Sequence, residues 1–268
     1  MKQDAPFLRW AGSKRQVLHR IRAFWSPGFG RYIEPFAGSA SLFFDLQPQA
    51  AILGDVNGEL INTLQCVRNA PEVVHKQMEG WRRSKRRYYS LRKTEPATLP
   101  LAMRAARFIY LNRFCFNGIY RTNRAGKFNV PYARAKTGKL PTLEYLQRCA
   151  EVLKRAEIHQ ADFETLLVEK AEKNDFVYLD PPYATDHKRI FREYASQDFS
   201  TRDIPRLVAL LDQIHTRGCL FVLSYAHCRE ALQAFSRWRV TSHYVQRNVS
   251  GFAKSRRRAK EVLVTNIA

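Results

Sequence analysis

The run Asp175–Tyr183, D-F-V-Y-L-D-P-P-Y, leaves its part of the chain few ways to fold. Phe176, Val177, Tyr178 and Leu179 are a short apolar, β-rich segment and predict a buried strand. Asp180 then falls at the carboxyl end of that strand, the edge at which open α/β sheets bind ligands. Two prolines follow, and each fixes its own φ near −65° and pushes the preceding residue toward an extended conformation. Neither nitrogen donates, but both carbonyls accept. Asp180 and the Pro181 carbonyl are therefore two rigid acceptors, and Tyr183 adds a flat aromatic face. A planar group carrying an amino NH2 suits that arrangement. A strand end with a proline turn and a solvated or capping Asp180 is the plainer reading of the same residues.

A buried strand needs a sheet around it, and the chain supplies the signals of one. Tyr32 and Ile33 end a first strand, Gly38 marks a tight turn, and Leu42, Phe43 and Leu46 begin a helix. Ala50–Asn57 reads as a second strand ending in Asp55, which stands where an acid bonds ribose hydroxyls in nucleotide-binding sheets. An N-cap for a helix over 59–67 is an equally good use of Asp55. Strand, turn, helix, strand and acid together point to an adenosine-containing cofactor. Ile158–Ala161 predicts a short strand ending at Asp162, which suits either an adenine amino group or the cap of a helix over 163–168. Ser13 and Gln16 fit a capping box before a helix marked by Val17, Leu18, Ile21, Phe24 and Trp25. Trp10, Gly12 and Lys14 lie in the loop before it, a place that suits an anionic group.

Further elements follow the same patterns. Residues 71–93 read as helical, as do 101–111, 142–153 and 201–215. A buried strand is expected at 219–224, and final strands at 238–244 and 262–266. Residues 184–199 and 247–260 read as loops, the second strongly basic.

Charge narrows the partner. Among 268 residues, 45 Lys and Arg stand against 24 Asp and Glu, a net charge of +21. The excess is sorted: 82–93 holds seven basic residues, 96–143 nine and 231–260 eight, and none of the three contains an acid. Such sorting predicts a positive face for a nucleic-acid backbone. Between Asn112 and Tyr132, Arg113, Arg121, Arg124 and Lys127 interleave with Asn117, Asn123, Asn129 and aromatic residues around two glycine turns, which predicts a hairpin. Arginine pairs with guanine, asparagine with adenine, and aromatic rings wedge between base steps. Charges decorating a packed hairpin are the alternative. No stretch of about 18 apolar residues suggests a membrane span. The five cysteines lack metal-ligand spacing and read as reduced thiols, so a cytoplasmic protein without a metal is expected.

Taken together these motifs resemble those of Dam-type (alpha group) N6-adenine-specific DNA methyltransferases, from Phe7 to Asn266. The resemblance rests on F-L-R-W-A-G-S-K at the N-terminus, E-P-F-A-G-S-A in the first turn, D-V-N after the second strand, the hairpin N-R-F-C-F-N-G-I-Y-R-T-N-R-A-G-K-F-N-V-P, and D-P-P-Y, in that order. Ala40 replaces the second glycine of the family's turn. The resemblance implies a Rossmann-like α/β fold with a mostly parallel, doubly wound sheet. It places an S-adenosylmethionine-binding catalytic domain at 1–68 and 141–268, and an inserted helical and hairpin DNA-recognition domain at 69–140. It also implies transfer of methyl to adenine N6 in duplex DNA after base flipping. Asp180, Pro181, Pro182 and Tyr183 are then the catalytic set. Trp10, Lys14, Glu34, Pro35, Phe36, Gly38, Asp55, Asp162 and Asp180 form the cofactor set, and the interleaved Arg113–Asn129 residues the DNA set. A monomer is expected. An RNA or N4-cytosine methyltransferase with the same motif, and a silent DNA-binding protein on this fold, are the alternatives.

Overall fold

The computed structural model describes residues 5–10, 14, 17–123, 125–133, 138–182, 203–246 and 258–267. Seven strands form one sheet: β1 (Tyr32–Glu34), β2 (Ala51–Asp55), β3 (Ala156–Gln160), β4 (Phe176–Leu179), β5 (Leu220–Ala226), β6 (Arg239–Gln246) and β7 (Arg258–Thr265), in the order β3-β2-β1-β4-β5-β7-β6. The first five are mutually parallel, and β7 runs antiparallel between β5 and β6. The order reverses between β1 and β4, so a ligand-binding crevice is expected outside their carboxyl ends.

Side chains alternate between the faces of each strand, and the two faces carry two cores. Tyr32, Ala51, Leu53, Phe176, Tyr178, Val222 and Leu263 face one core. It is covered by α1 (Leu18–Arg22), α2 (Ser41–Leu46), α3 (Gly58–Asn69), α4 (Pro71–Met78), α6 (Leu101–Phe114) and α7 (Leu143–Leu153). Ile33, Ile52, Val177, Leu179, Phe221, Leu223, Val262 and Val264 face the other, under α8 (Phe163–Lys170), α9 (Asp203–Thr216) and α10 (Arg229–Ala234). Strands buried on both faces require near-continuous apolar runs, which is why F-V-Y-L is legible as a strand.

A third, smaller cluster holds the insert together. Tyr88 of α5 (Lys85–Lys93) packs with Tyr110, Leu111, Phe114, Cys115, Ile119 and Val130. The Tyr88 hydroxyl donates to the Val130 carbonyl at 2.9 Å, and Tyr110 donates to Arg82 at 2.9 Å. The expected hairpin is present as two antiparallel bridges, Cys115 with Tyr132 and Thr122 with Phe128.

Three expectations are corrected. The helix expected over 71–93 is two helices, because Gly80 takes a left-handed φ of 69° and Ser84 caps α5 by accepting from the Arg87 amide. The helix after Val17 stops at Arg22, short of Trp25. Part of the expected loop 247–260 is strand, because the β6–β7 ladder continues to Gln246 opposite Arg258. The Ser13–Gln16 capping box and the loop expected at 184–199 lie outside the described residues.

The amino ends of β1 and β4 are locked together by Asp175. Its oxygens accept from Arg31 Nε at 3.1 Å, Arg31 Nη2 at 2.7 Å, and the amides of Arg31 and Glu172 at 3.0 and 2.8 Å. Asp175 is buried, so its removal leaves several donors without a partner. Asp175→Ala is expected to destabilise the fold by about 3 kcal/mol, read as a lower denaturant midpoint. This cluster lies at the strands' opposite ends from Asp180, so the folded fraction should keep its cofactor affinity.

Candidate active site

The carboxyl edge of the parallel strands gathers four acids. Asp162 follows β3, Asp55 ends β2, Glu34 ends β1 and Asp180 follows β4. Each side chain has a different setting. Asp180 receives the Lys14 ammonium at 3.0 Å. Lys14 is nearly buried and lies 3.6 Å from a second carboxylate, Glu261 on β7. Burial pushes the Asp180 carboxyl up to about 6, against the pull of Lys14, and Glu261 adds to the rise. Pro181 is buried behind it and Pro182 is exposed. Tyr183 lies outside the described residues.

Glu34 is buried and accepts the Tyr32 hydroxyl at 2.9 Å. Burial, with the nearby Asp180 and Asp55 charges, holds its carboxyl far above the ordinary range. It forms the floor of the edge. Asp55 secures the loop above: Oδ2 accepts from the Gly38 amide at 3.1 Å and Oδ1 from Asn57 at 2.9 Å. Burial raises Asp55 to about 6, and those two bonds moderate the shift. The helix cap weighed for Asp55 falls instead to Asn57, whose Oδ1 accepts from the Glu59 and Leu60 amides.

A side chain at Gly38 would be strained and crowded. The glycine's φ is +49°, and a Cβ there would come within 2.7 Å of Trp10 Nε1. Ala40, at the family's second glycine, is also left-handed, with φ 52°, and bears a methyl group in a conformation that suits glycine. Pro35 lies against Gly54, and Phe36 stacks on Phe163 at 5.1 Å. Trp10 stacks on Tyr120 of the hairpin, with centroids 6.0 Å apart, so the N-terminal loop joins sheet edge and insert. Asp162 takes its capping alternative: it accepts from the Glu164 amide and pairs with Arg206 at 3.1 Å. It lies three strand spacings from β4, roughly 14 Å away.

The insert is more structural than its charge suggests. Arg83 donates to the Ala133 carbonyl and lies over Tyr132, Arg92 lies over Tyr89 and donates to Val130, and Arg107 donates to Leu91. Lys85, Arg86 and Lys93 are exposed. On the hairpin, Asn123 Oδ1 accepts from the Ala125 and Lys127 amides and closes the turn. Arg121 Nε donates to Asn129 Oδ1 at 2.7 Å. Lys127 reaches Glu95 at 3.4 Å, and Arg113 lies in the last turn of α6. Asn117 is left-handed and exposed, beside exposed Phe116. Arg124 lies outside the described residues. Sequence reasoning missed Glu261, the clasp of Asn112 on the Arg9 backbone at 2.8 and 2.6 Å, and exposed Val56 beside Asp55. Glu261 had a signal: it is the sole acid after Glu230.

A family model described as D12 class N6 adenine-specific DNA methyltransferase matches residues 10–250. The chain belongs to that family. It is 34% identical over 272 residues to the Type II methyltransferase M1.LlaDCHI of Lactococcus lactis subsp. cremoris, covering 97% of this chain and 95% of the relative. It is 33% identical to the Type II methyltransferase M.MjaIII of Methanocaldococcus jannaschii, over 83% and 84% of the two chains. It is 33% identical to a DNA adenine methylase of Serratia marcescens, over 86% of each. A solved structure, putative methyltransferase yhhF from Escherichia coli, aligns with 97% of this chain and 90% of its own at TM-score 0.40 and 10% identity.

As a D12 class enzyme, the chain methylates adenine N6 in DNA with S-adenosylmethionine as donor, after base flipping. Among its described residues no cluster suits a metal, and no helix is long and apolar enough to cross a membrane.

Two carboxyls near 6 set a pH window. If Asp180 acts as an anion, kcat/KM falls as pH drops through about 6. Stability moves the other way. Both folded values exceed the ordinary 3.8, so the folded state binds more protons between 3.8 and 6, and these two groups favour folding more as pH falls across that window. A pH–rate profile alongside denaturation midpoints checks both; an acid limb near pH 4 would contradict the first.

Proposed function

We propose that Asp180 and the Pro181 carbonyl are the two acceptors for the target adenine's amino group. The observation that carries this reading is a desolvated carboxylate at the switch point, held by Lys14 at 3.0 Å and followed by a rigid proline pair. Adenine N6 is a poor nucleophile because its lone pair is delocalised into the ring. Acceptors on its hydrogens localise that pair and stabilise the positive charge that develops on nitrogen. S-adenosylmethionine supplies an electrophilic methyl group on a sulfonium. The loop around Gly38, the Asp55 carboxylate and exposed Val56 fit its adenosine portion: a closely approachable backbone, acceptors for ribose hydroxyls and an apolar surface for a ring. Trp10, Pro35 and Phe36 shape that loop, and Glu34 supports it from below. Asp162 is kept as a peripheral member. Pro182 stiffens the turn and Tyr183 stacks on the flipped base.

We assign DNA recognition to residues 69–140, whose separate aromatic cluster supports treating them as a unit, with 1–68 and 141–268 as the catalytic domain. α4 and the first half of α6 also pack into the main core, so the insert shares that core with the catalytic domain. Asn117 and Phe116, exposed on a left-handed turn, suit insertion at a base step. Arg121, oriented by Asn129, suits a bidentate contact to guanine. Arg113, Asn123 and Lys127 support the hairpin or hold phosphates, and Arg124 contacts DNA. Exposed large hydrophobics sit on separate elements, which favours a monomer, and five free thiols favour a reducing, cytoplasmic setting.

Asp180→Ala should lower methyl transfer by on the order of 10²–10³ while DNA affinity holds. Labelled-methyl incorporation into duplex DNA reads this, and wild-type turnover in the folded variant would end the assignment.

Arg121→Ala should cost about 1–3 kcal/mol against the cognate site and relax choice at one base pair. Binding to cognate and single-substituted duplexes at several salt concentrations is the measurement. A uniform loss across all duplexes, with a salt slope about one unit smaller, would instead make Arg121 a phosphate holder.

A further inference from the structure

Glu261 belongs to neither the motif loop nor the cofactor loop. It lies on β7, the antiparallel strand, opposite Ala226 of β5 and His243 of β6. Register partners share a face, so Glu261, Ala226, Ser224 and His243 stand on the sheet face that carries Tyr178 and Tyr32. Glu261 and His243 are about 95% buried, and Ser224 is fully buried. Neither Ser224 Oγ nor His243 Nε2 has a hydrogen-bond partner among the described residues. An acid in such a place is costly unless a cation answers it. Among the described residues Lys14 supplies that cation, 3.6 Å away, and its ammonium is also 3.0 Å from Asp180. Alanine at position 226 keeps the adjacent site on β5 small.

We propose that Glu261 is a positioning residue for methyl transfer: it draws the Lys14 ammonium to one side of the Asp180 carboxylate, so that Oδ1 is held and Oδ2 is left to the adenine amino group. This rests on Asp180 being the acceptor. Without the pull of Glu261, the Lys14 ammonium settles more squarely on Asp180 and competes directly with the substrate amine.

The groups facing this cluster set its response to pH. Asp180 faces Lys14 and Glu261, with Glu34 and Tyr32 behind it on β1 and Tyr178 on its own strand. Glu261 faces Lys14 and His243, and His243 faces Arg20 and His19 as well. Removing the Glu261 charge takes a like charge from Asp180 and gives it more of Lys14. Both changes lower the pH at which Asp180 protonates.

The test is Glu261→Gln, which keeps the side chain's shape. Its kcat should fall on the order of 10- to 100-fold, the scale of a displaced reacting group. Equilibrium affinities for S-adenosylmethionine and DNA should change by no more than about 2-fold, roughly 0.4 kcal/mol, and the acid limb should move to lower pH. In a Lys14→Met background the same substitution should have little further effect on kcat, because Glu261 acts through Lys14. Wild-type kcat and acid limb in Glu261→Gln would overturn the proposal. So would a loss of S-adenosylmethionine affinity that accounts for the rate, which would make Glu261 a cofactor ligand. If Glu261→Gln folds poorly, Glu261→Asp withdraws the charge by one methylene, and an unchanged kcat there overturns the proposal equally. Asp180→Asn, run in parallel, separates the two claims: an active Asp180→Asn removes the acceptor reading itself, whereas an inactive one beside a fully active Glu261→Gln removes only the role of Glu261.

Discussion

The ion pair between Lys14 and Asp180 is the contact on which the rest of the site depends. An unpaired carboxylate this deeply desolvated would take up a proton near neutrality and lose its value as an acceptor. Lys14 opposes that and leaves the group close to 6, ionised at neutral pH yet not far from its neutral form. The pair joins parts distant in sequence: an N-terminal loop, the end of β4 and, through Glu261, β7. The sheet makes this possible because its order brings β4, β5 and β7 side by side.

Around that pair the structure is stiff where geometry matters. The prolines after Asp180 restrict the motif loop. Asp55 ties the Gly38 turn to the end of β2, and Trp10 covers Gly38 so closely that a Cβ there would have to displace its ring. The stack of Trp10 on Tyr120 makes the cofactor loop and the hairpin one packed surface. Tyr120 in turn packs on Phe108 and Phe128, so the main core continues into the hairpin through packed rings.

Much of this is legible in the sequence because it is local. F-V-Y-L followed by a carboxylate and two prolines is a pattern of neighbours, and so is the strand–turn–helix from Tyr32 to Leu46. The D-V-N turn and the Thr122–Phe128 pairing are local too. What escapes is long-range pairing. Nothing near Glu261 names Lys14, some 250 residues away, and a strand buried on both faces reads alike with or without one acid in it. The basic runs mislead for a related reason. Arg83, Arg92 and Arg107 count as cations in the sequence but serve as donors to backbone carbonyls in the fold. At Asp162 a strand end and a helix start coincide, so the sequence suits two uses; in the fold it accepts from the Glu164 amide and pairs with Arg206.

Methyl transfer as proposed depends on an ionised, Lys14-held Asp180 at a desolvated strand end. Carbon-13 NMR of aspartate-labelled enzyme, with the Asp180 signal assigned by its loss in Asp180→Asn, measures that state directly. The Asp180 carboxyl should titrate at about 6 in the wild-type enzyme and clearly higher in Lys14→Met. A signal that titrates near the ordinary 3.8 in both proteins would mean that Asp180 is neither desolvated nor held by Lys14, and would contradict the account.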